Sequence, residues 1–118
     1  MSFFKLSQSF YFESAHTLKR EYEKNSDRIH GHTYVAVITI KGYPNENGII
    51  VDLAVLKNKC KEIKEILDHQ FLDNVEGLGN PTIENLCLFI ANYCKDLPIY
   101  EIIVERTIAG DKCTYVYS

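Results

Sequence analysis

No two cysteines in this sequence are spaced as C-x-x-C; Cys60, Cys87, Cys94 and Cys113 lie singly inside apolar patterns. That spacing excludes a zinc knuckle and gives no sign of a disulfide framework, so a reduced, cytoplasmic protein is expected. Excess positive charge is missing as well. A net charge of -3 and a pI near 5.8 argue against a nucleic-acid partner held by many phosphate contacts, and leave room for a small anion met by a few residues. No stretch approaches the roughly 18 apolar residues of a membrane span, and the opening MSFFKLSQSF has neither the basic leader nor the apolar run of a signal peptide. Fixed-period repeats and low-complexity tracts are absent. With 46% apolar and 25% charged residues the composition excludes disordered, collagen-like and coiled-coil classes, whereas the lack of tryptophan excludes nothing. What remains is a globular chain whose length fits one domain, 1–118, without a linker.

Phe10, Phe12, Ser14 and His16 alternate with Tyr11, Glu13 and Ala15, which predicts a strand over about 4–16 with one buried side. A polar stretch, 17–27, reads as a long loop. A second strand is expected over 30–41, rich in β-branched and aromatic residues and closed by the turn-rich GYPNENG, and the two strands would pair as an antiparallel hairpin. Asp52 is suited to cap a helix whose apolar stripe is Leu53, Leu56, Cys60, Ile63 and Leu67. In GNPTIENL, Asn80 or Thr82 would cap a second helix with Pro81 in its first turn and a stripe of Ile83, Leu86, Cys87, Ile90, Cys94 and Leu97. Cys60, Cys87 and Cys94 therefore read as core fillers. Strands over 100–107 and 112–117, joined by the turn AGD, complete a ββααββ order. That order predicts an α+β fold, a four-stranded antiparallel sheet with two helices laid on one face.

Two of the four histidines stand together in SDRIHGHTY. Strand positions two apart point to one side, so His30 and His32 can reach a single ion while Gly31 leaves room opposite. If the first two strands pair, His16 at the end of one lies near the start of the other, and three imidazoles can converge. Three histidines without a thiolate favour zinc among common ions, and a three-ligand site keeps a position open for water or substrate, as catalytic sites do. Histidines at this spacing also serve as partners of backbone carbonyls, and it is the third histidine that favours a metal. His69 follows Asp68 at the end of the first helix, where a cation suits the helix C-terminus; alternatively the carboxylate supports a general acid or base.

Taken in order, FESAH (12–16), HGH (30–32), GIIVDLAVLK (48–57), LDHQFLD (67–73) and NPTIENL (80–86) resemble the 6-pyruvoyl-tetrahydropterin and 6-carboxy-tetrahydropterin synthase family across roughly residues 8–107. The resemblance implies a T-fold whose sheets join around a trimer and often stack as a homohexamer, with active sites between subunits. It implies a zinc ion on His16, His30 and His32 and a pterin triphosphate substrate, 7,8-dihydroneopterin triphosphate, whose side-chain oxygens meet that ion. The metal would act as a Lewis acid that eases removal of the adjacent proton before triphosphate is eliminated or the side chain is cleaved. Asp68 and His69 match the family's acid/base pair, and Thr82 and Glu84 fall where the substrate would be contacted.

Two departures from the family pattern follow. The family moves the proton with a cysteine shortly before His-Gly-His, yet here no cysteine precedes Cys60, and Ser26, four residues before His30, takes that place. A serine hydroxyl is a poor base unless another group takes its proton. Asp27 is the alternative base, since some members carry a carboxylate in this region and form a hydroxymethyl pterin; Asp27 and Arg28 read equally well as exposed loop charges. The second departure is the pterin anchor, a glutamate in a pattern like Val-x-Glu-Thr, where this chain has IIVERT. Glu105 matches by type and Arg106 by its distance from Thr107, and neighbours on a strand face opposite ways. Glu105 is the expected anchor, because a carboxylate accepts two hydrogen bonds from the ring and a guanidinium cannot. Lys19, Arg20, Lys24 and Arg28 could meet a triphosphate, although Glu21, Glu23 and Asp27 are interleaved.

The expected function is a zinc-dependent lyase forming 6-carboxy-5,6,7,8-tetrahydropterin for the queuosine (deazaguanine) route. A 6-pyruvoyl product, or a hydroxymethyl product for folate, is the enzymatic alternative, and a non-catalytic zinc- and pterin-binding homologue is the rival from another class. Serine hydrolysis by Ser26 with His69 and Asp68 has no oxyanion hole or nucleophile elbow visible in the sequence.

Overall fold

Alternation at the start of the chain becomes β1 (Phe4–His16), paired antiparallel with β2 (His30–Gly42) from Phe4 opposite Gly42 to His16 opposite His30. The computed structural model describes residues 2–17 and 29–117. The expectations for Lys19, Arg20, Lys24, Ser26, Asp27 and Arg28 thus lie outside the described residues. β3 (Ile99–Arg106) pairs with β2, and β4 (Asp111–Val116) with β3, both antiparallel, so the sheet runs β1-β2-β3-β4 in chain order. Between β2 and β3 come α1 (Leu53–Leu67) and α2 (Ile83–Tyr93), with a single 3-10 turn at Leu72–Asn74. This is the α+β arrangement that the order of periodic segments predicts.

Period two on the strands and three-to-four on the helices place one apolar surface against the other. Phe12, Tyr34, Ala36, Ile38, Ile102 and Val104 of the sheet meet Leu56, Ile63, Leu67, Leu86 and Ile90 of the helices, all fully buried. Cys60, Cys87 and Cys94 fill this core as expected, and burial pushes their thiols up to about 11, 12 and 12.

Three local expectations are corrected. Leu53, the first residue of α1, is exposed beside an open cleft with Phe4 and Ile50 instead of joining the buried stripe. Thr82, not Asn80, caps α2, its Oγ accepting from the Asn85 amide, so Pro81 precedes the cap and lies outside the first turn. The last turn spans 107–110; Asp111 already pairs with Arg106 in the ladder, because Gly110 takes the positive φ of 85° the turn needs.

The exit of α1 is sewn to the outer edge of β1. Ser14 Oγ donates to Leu67 O, the His69 amide donates to Glu13 O at 2.7 Å, and the Ala15 amide donates to Gln70 O at 3.0 Å. The end of one helix and the start of the other are thereby brought to the end of the sheet where the histidines sit.

Candidate metal centre

His16 and Ser14 on β1 stand opposite His30 and His32 on β2, and alternation puts all four side chains on the helix-covered face. One nitrogen of each imidazole lies within 4.8 Å of the others, and His16 Nε2 approaches His30 Nε2 to 2.9 Å. Ring centroids are 4.5, 5.0 and 5.1 Å apart in edge-on pairs. His16 is 1% exposed, whereas His30 and His32 are half-buried. Its Nδ1 lies 3.2 Å from Pro81 O and 3.1 Å from Tyr34 Oη. With Nε2 on a cation, Nδ1 carries the proton and donates to Pro81 O, the outer contact that orients a ligating imidazole.

Burial, then the neighbouring His30 and His32, lowers the pKa of His16 to about 4; burial and the Arg106 charge lower that of His32. Both imidazoles are therefore held in the neutral form that a metal needs. Burial pushes Tyr34 up to about 12, so it serves as an uncharged partner, stacked on Phe12 at 4.8 Å. Three inward imidazoles with their nitrogens this close fit a cation that accepts nitrogen donors.

Asp68 ends α1, and its Oδ1 accepts the Glu13 amide at 2.9 Å while Oδ2 lies 3.0 Å from His69 Nδ1. The Glu13 amide, then the His69 charge, holds the Asp68 carboxyl below the usual range. Its contact with His69 Nδ1 leaves Nε2 as the nitrogen that can take or give a proton. His69 itself has φ 56°, the left-handed region that non-glycine residues rarely adopt, and its side chain is 78% exposed. His69 and His32 line one open cleft of about 840 Å³, together with Glu13, Thr33, Gln70 and Arg106.

The structure thus places His32 of the triad and His69 on one cleft, but it does not bring Glu105 there. Glu105 pairs with Val35 and Lys112 and alternates away from Ile102 and Val104, so it faces the other side of the sheet. Arg106 takes the histidine side instead, with Nη1 3.3 Å from His32 Nε2 and Nη2 on the Asp111 carboxylate. The distance to Thr107 carried that signal, and residue type overrode it. Thr82 is occupied as a helix cap, next to the Pro81 carbonyl that meets His16, and Glu84 sits in the first turn of α2. Ser14, Tyr34 and Pro81 had not been expected at the site. Ser14 and Tyr34 were findable, since each stands two residues from a histidine on the same strand face.

The family profile described as 6-pyruvoyl tetrahydropterin synthase matches residues 5–115. A curated 6-carboxy-5,6,7,8-tetrahydropterin synthase from Synechocystis sp. is 36% identical over 89 residues, covering 70% of this chain and 68% of that protein. A provisionally named protein of the same kind from Pyrococcus abyssi is 43% identical over 61 residues, 52% of this chain; the chain spans 36% of its length, and 39% and 65% of two further archaeal relatives. The solved 6-pyruvoyl tetrahydropterin synthase of Caenorhabditis elegans superposes with a TM-score of 0.85 at 23% identity, covering 100% of this chain and 98% of that one, a likeness of fold.

Proposed function

Since the chain belongs to the 6-pyruvoyl tetrahydropterin synthase family, we propose that it is a cytoplasmic, zinc-dependent lyase that converts 7,8-dihydroneopterin triphosphate to 6-carboxy-5,6,7,8-tetrahydropterin, feeding the queuosine route. The observation that carries this reading is the convergence of three imidazoles, of which His32 lines the same cleft as His69 of the Asp-His pair. The carboxy product is chosen because the DRIHGH spacing resembles that branch, whose two relatives named above match at 36% and 43% identity. A trimer or hexamer is the proposed assembly.

His16, His30 and His32 would hold zinc, which when bound supplies Lewis-acid polarisation of the substrate's side-chain oxygens. Asp68 fixes the tautomer and orientation of His69, and His69 Nε2 exchanges a proton with the side chain being cleaved. Asp27, or Ser26 with its proton passed on, takes the place of the family cysteine as the base. The core thiols are unsuited to it, being buried and raised in pKa. Thr82 and Glu84 would meet the substrate from the start of α2, whereas Glu105, the expected pterin anchor, faces the other side of the sheet.

The test is to load the protein with zinc, add 7,8-dihydroneopterin triphosphate with and without acetaldehyde trapping, and identify products by mass. A 6-carboxy product is expected; a pyruvoyl or hydroxymethyl product would move the protein to another branch. Asp27→Ala should lower turnover, and unchanged turnover would remove Asp27 as the base. The absence of any cysteine before Cys60 favours one second reading, a zinc- and pterin-binding protein without turnover. That reading predicts bound zinc beside unchanged substrate.

A further inference from the structure

Arg106 is a cation of the cleft to which the proposed chemistry assigns no role. Its side chain is 17% exposed at the end of β3. Nη2 donates to Asp111 across the β3–β4 turn, Nη1 lies 3.3 Å from His32 Nε2, and the buried Nε finds no acceptor among the described residues. A buried donor without an acceptor is costly, and a guanidinium can only donate. Arg106 also lines the cleft, so its guanidinium is placed to donate to an oxyanion that enters it.

Charge points the same way. Among the described residues that line the cleft, Arg106 is the fixed cation, set against the Glu13 carboxylate, and it is the group there that attracts an oxyanion. We propose that Arg106 makes this wall of the cleft a receptor for an oxyanion, a phosphate or carboxylate of the substrate, and not for the donor edge of a pterin ring. A carboxylate at this position would select ring N–H donors; the guanidinium selects acceptors. The proposal deepens the metal-site reading and rests on it.

The experiment is calorimetry on the zinc-loaded full chain with inorganic triphosphate and, separately, malonate, which tell a phosphate from a carboxylate. Arg106→Gln should weaken the preferred anion by roughly tenfold or more with zinc content unchanged, and Arg106→Lys should recover part of it. An affinity within about twofold of wild type for both anions would overturn the proposal. Should Arg106→Gln fail to fold, the wild type decides: its Arg106 Nε–H resonance shifts on adding the anion, and an unmoved resonance overturns the idea. Turnover of dihydroneopterin triphosphate reads the other question. Absent turnover with Arg106-dependent anion binding sinks the lyase and keeps the receptor, whereas full turnover with a KM indifferent to Arg106 does the reverse.

Discussion

His69 holds φ 56° with its amide on Glu13 O and its ring on Asp68, a conformation in which glycine would be less strained. Strain at a histidine that lines a cleft fits the proton-transfer role proposed for it. His69→Gly should therefore leave stability unchanged or raise it by about 0.5–1 kcal/mol, while turnover falls by roughly 10²–10⁴ and zinc content stays constant. Thermal unfolding beside a turnover assay checks both halves. Asp68 makes a separate prediction about pH. Its folded pKa lies below the ordinary 3.8, held there first by the Glu13 amide. The stabilisation is therefore present above pH 3.8 and is lost as pH falls through the lower folded value. Asp68→Asn should cost about 1 kcal/mol at neutral pH, and the gap from wild type should close in acid, as denaturant titrations across that range would record.

Among the elements, α2 matters to the site through its first residues. Thr82 caps it, and the preceding Pro81 carbonyl meets His16 Nδ1, so loosening the cap loosens the support of a ligand. Thr82→Ala should lower stability by about 1 kcal/mol and weaken zinc binding several-fold, with Thr82→Ser restoring both; a full effect on turnover with neither loss would make Thr82 a substrate contact alone. The elements themselves were legible because each carries a strong period: the alternation of Phe10, Phe12, Ser14 and His16 and the spacing of Leu56, Cys60, Ile63 and Leu67 match their buried faces. The clustering of the three histidines was legible for the same reason, since hairpin pairing puts His16 opposite His30. What escaped depended on a single residue of register or on backbone conformation. Glu105 and Arg106 exchange faces with a shift of one position, and nothing in the letters LDHQ announces a left-handed histidine. Leu53 escaped because periodicity says which face a residue shares, not where the cover over that face ends.

At the scale of the whole chain, the radius of gyration is 15.4 Å with extents of 54 × 27 × 25 Å, against about 13.5 Å for a compact domain of this length. β4 has a sheet neighbour on one side only, and Phe4, Tyr11, Val116 and Tyr117 are exposed near the outer strands. An elongated sheet with open edges and exposed aromatics is suited to pairing with further copies. Sedimentation at micromolar concentration should show a trimer or hexamer, and a monomer under those conditions would contradict the proposed assembly.

The most direct measurement is of metal on the triad: zinc stoichiometry and affinity, by elemental analysis and chelator competition, for the wild type, His16→Ala and His30→Ala, with folding checked by circular dichroism. The account predicts about one zinc per chain in the wild type and a loss of affinity of roughly 100-fold or more in each folded variant. A wild type that holds no zinc after loading, or variants that hold it as tightly as the wild type, would contradict it.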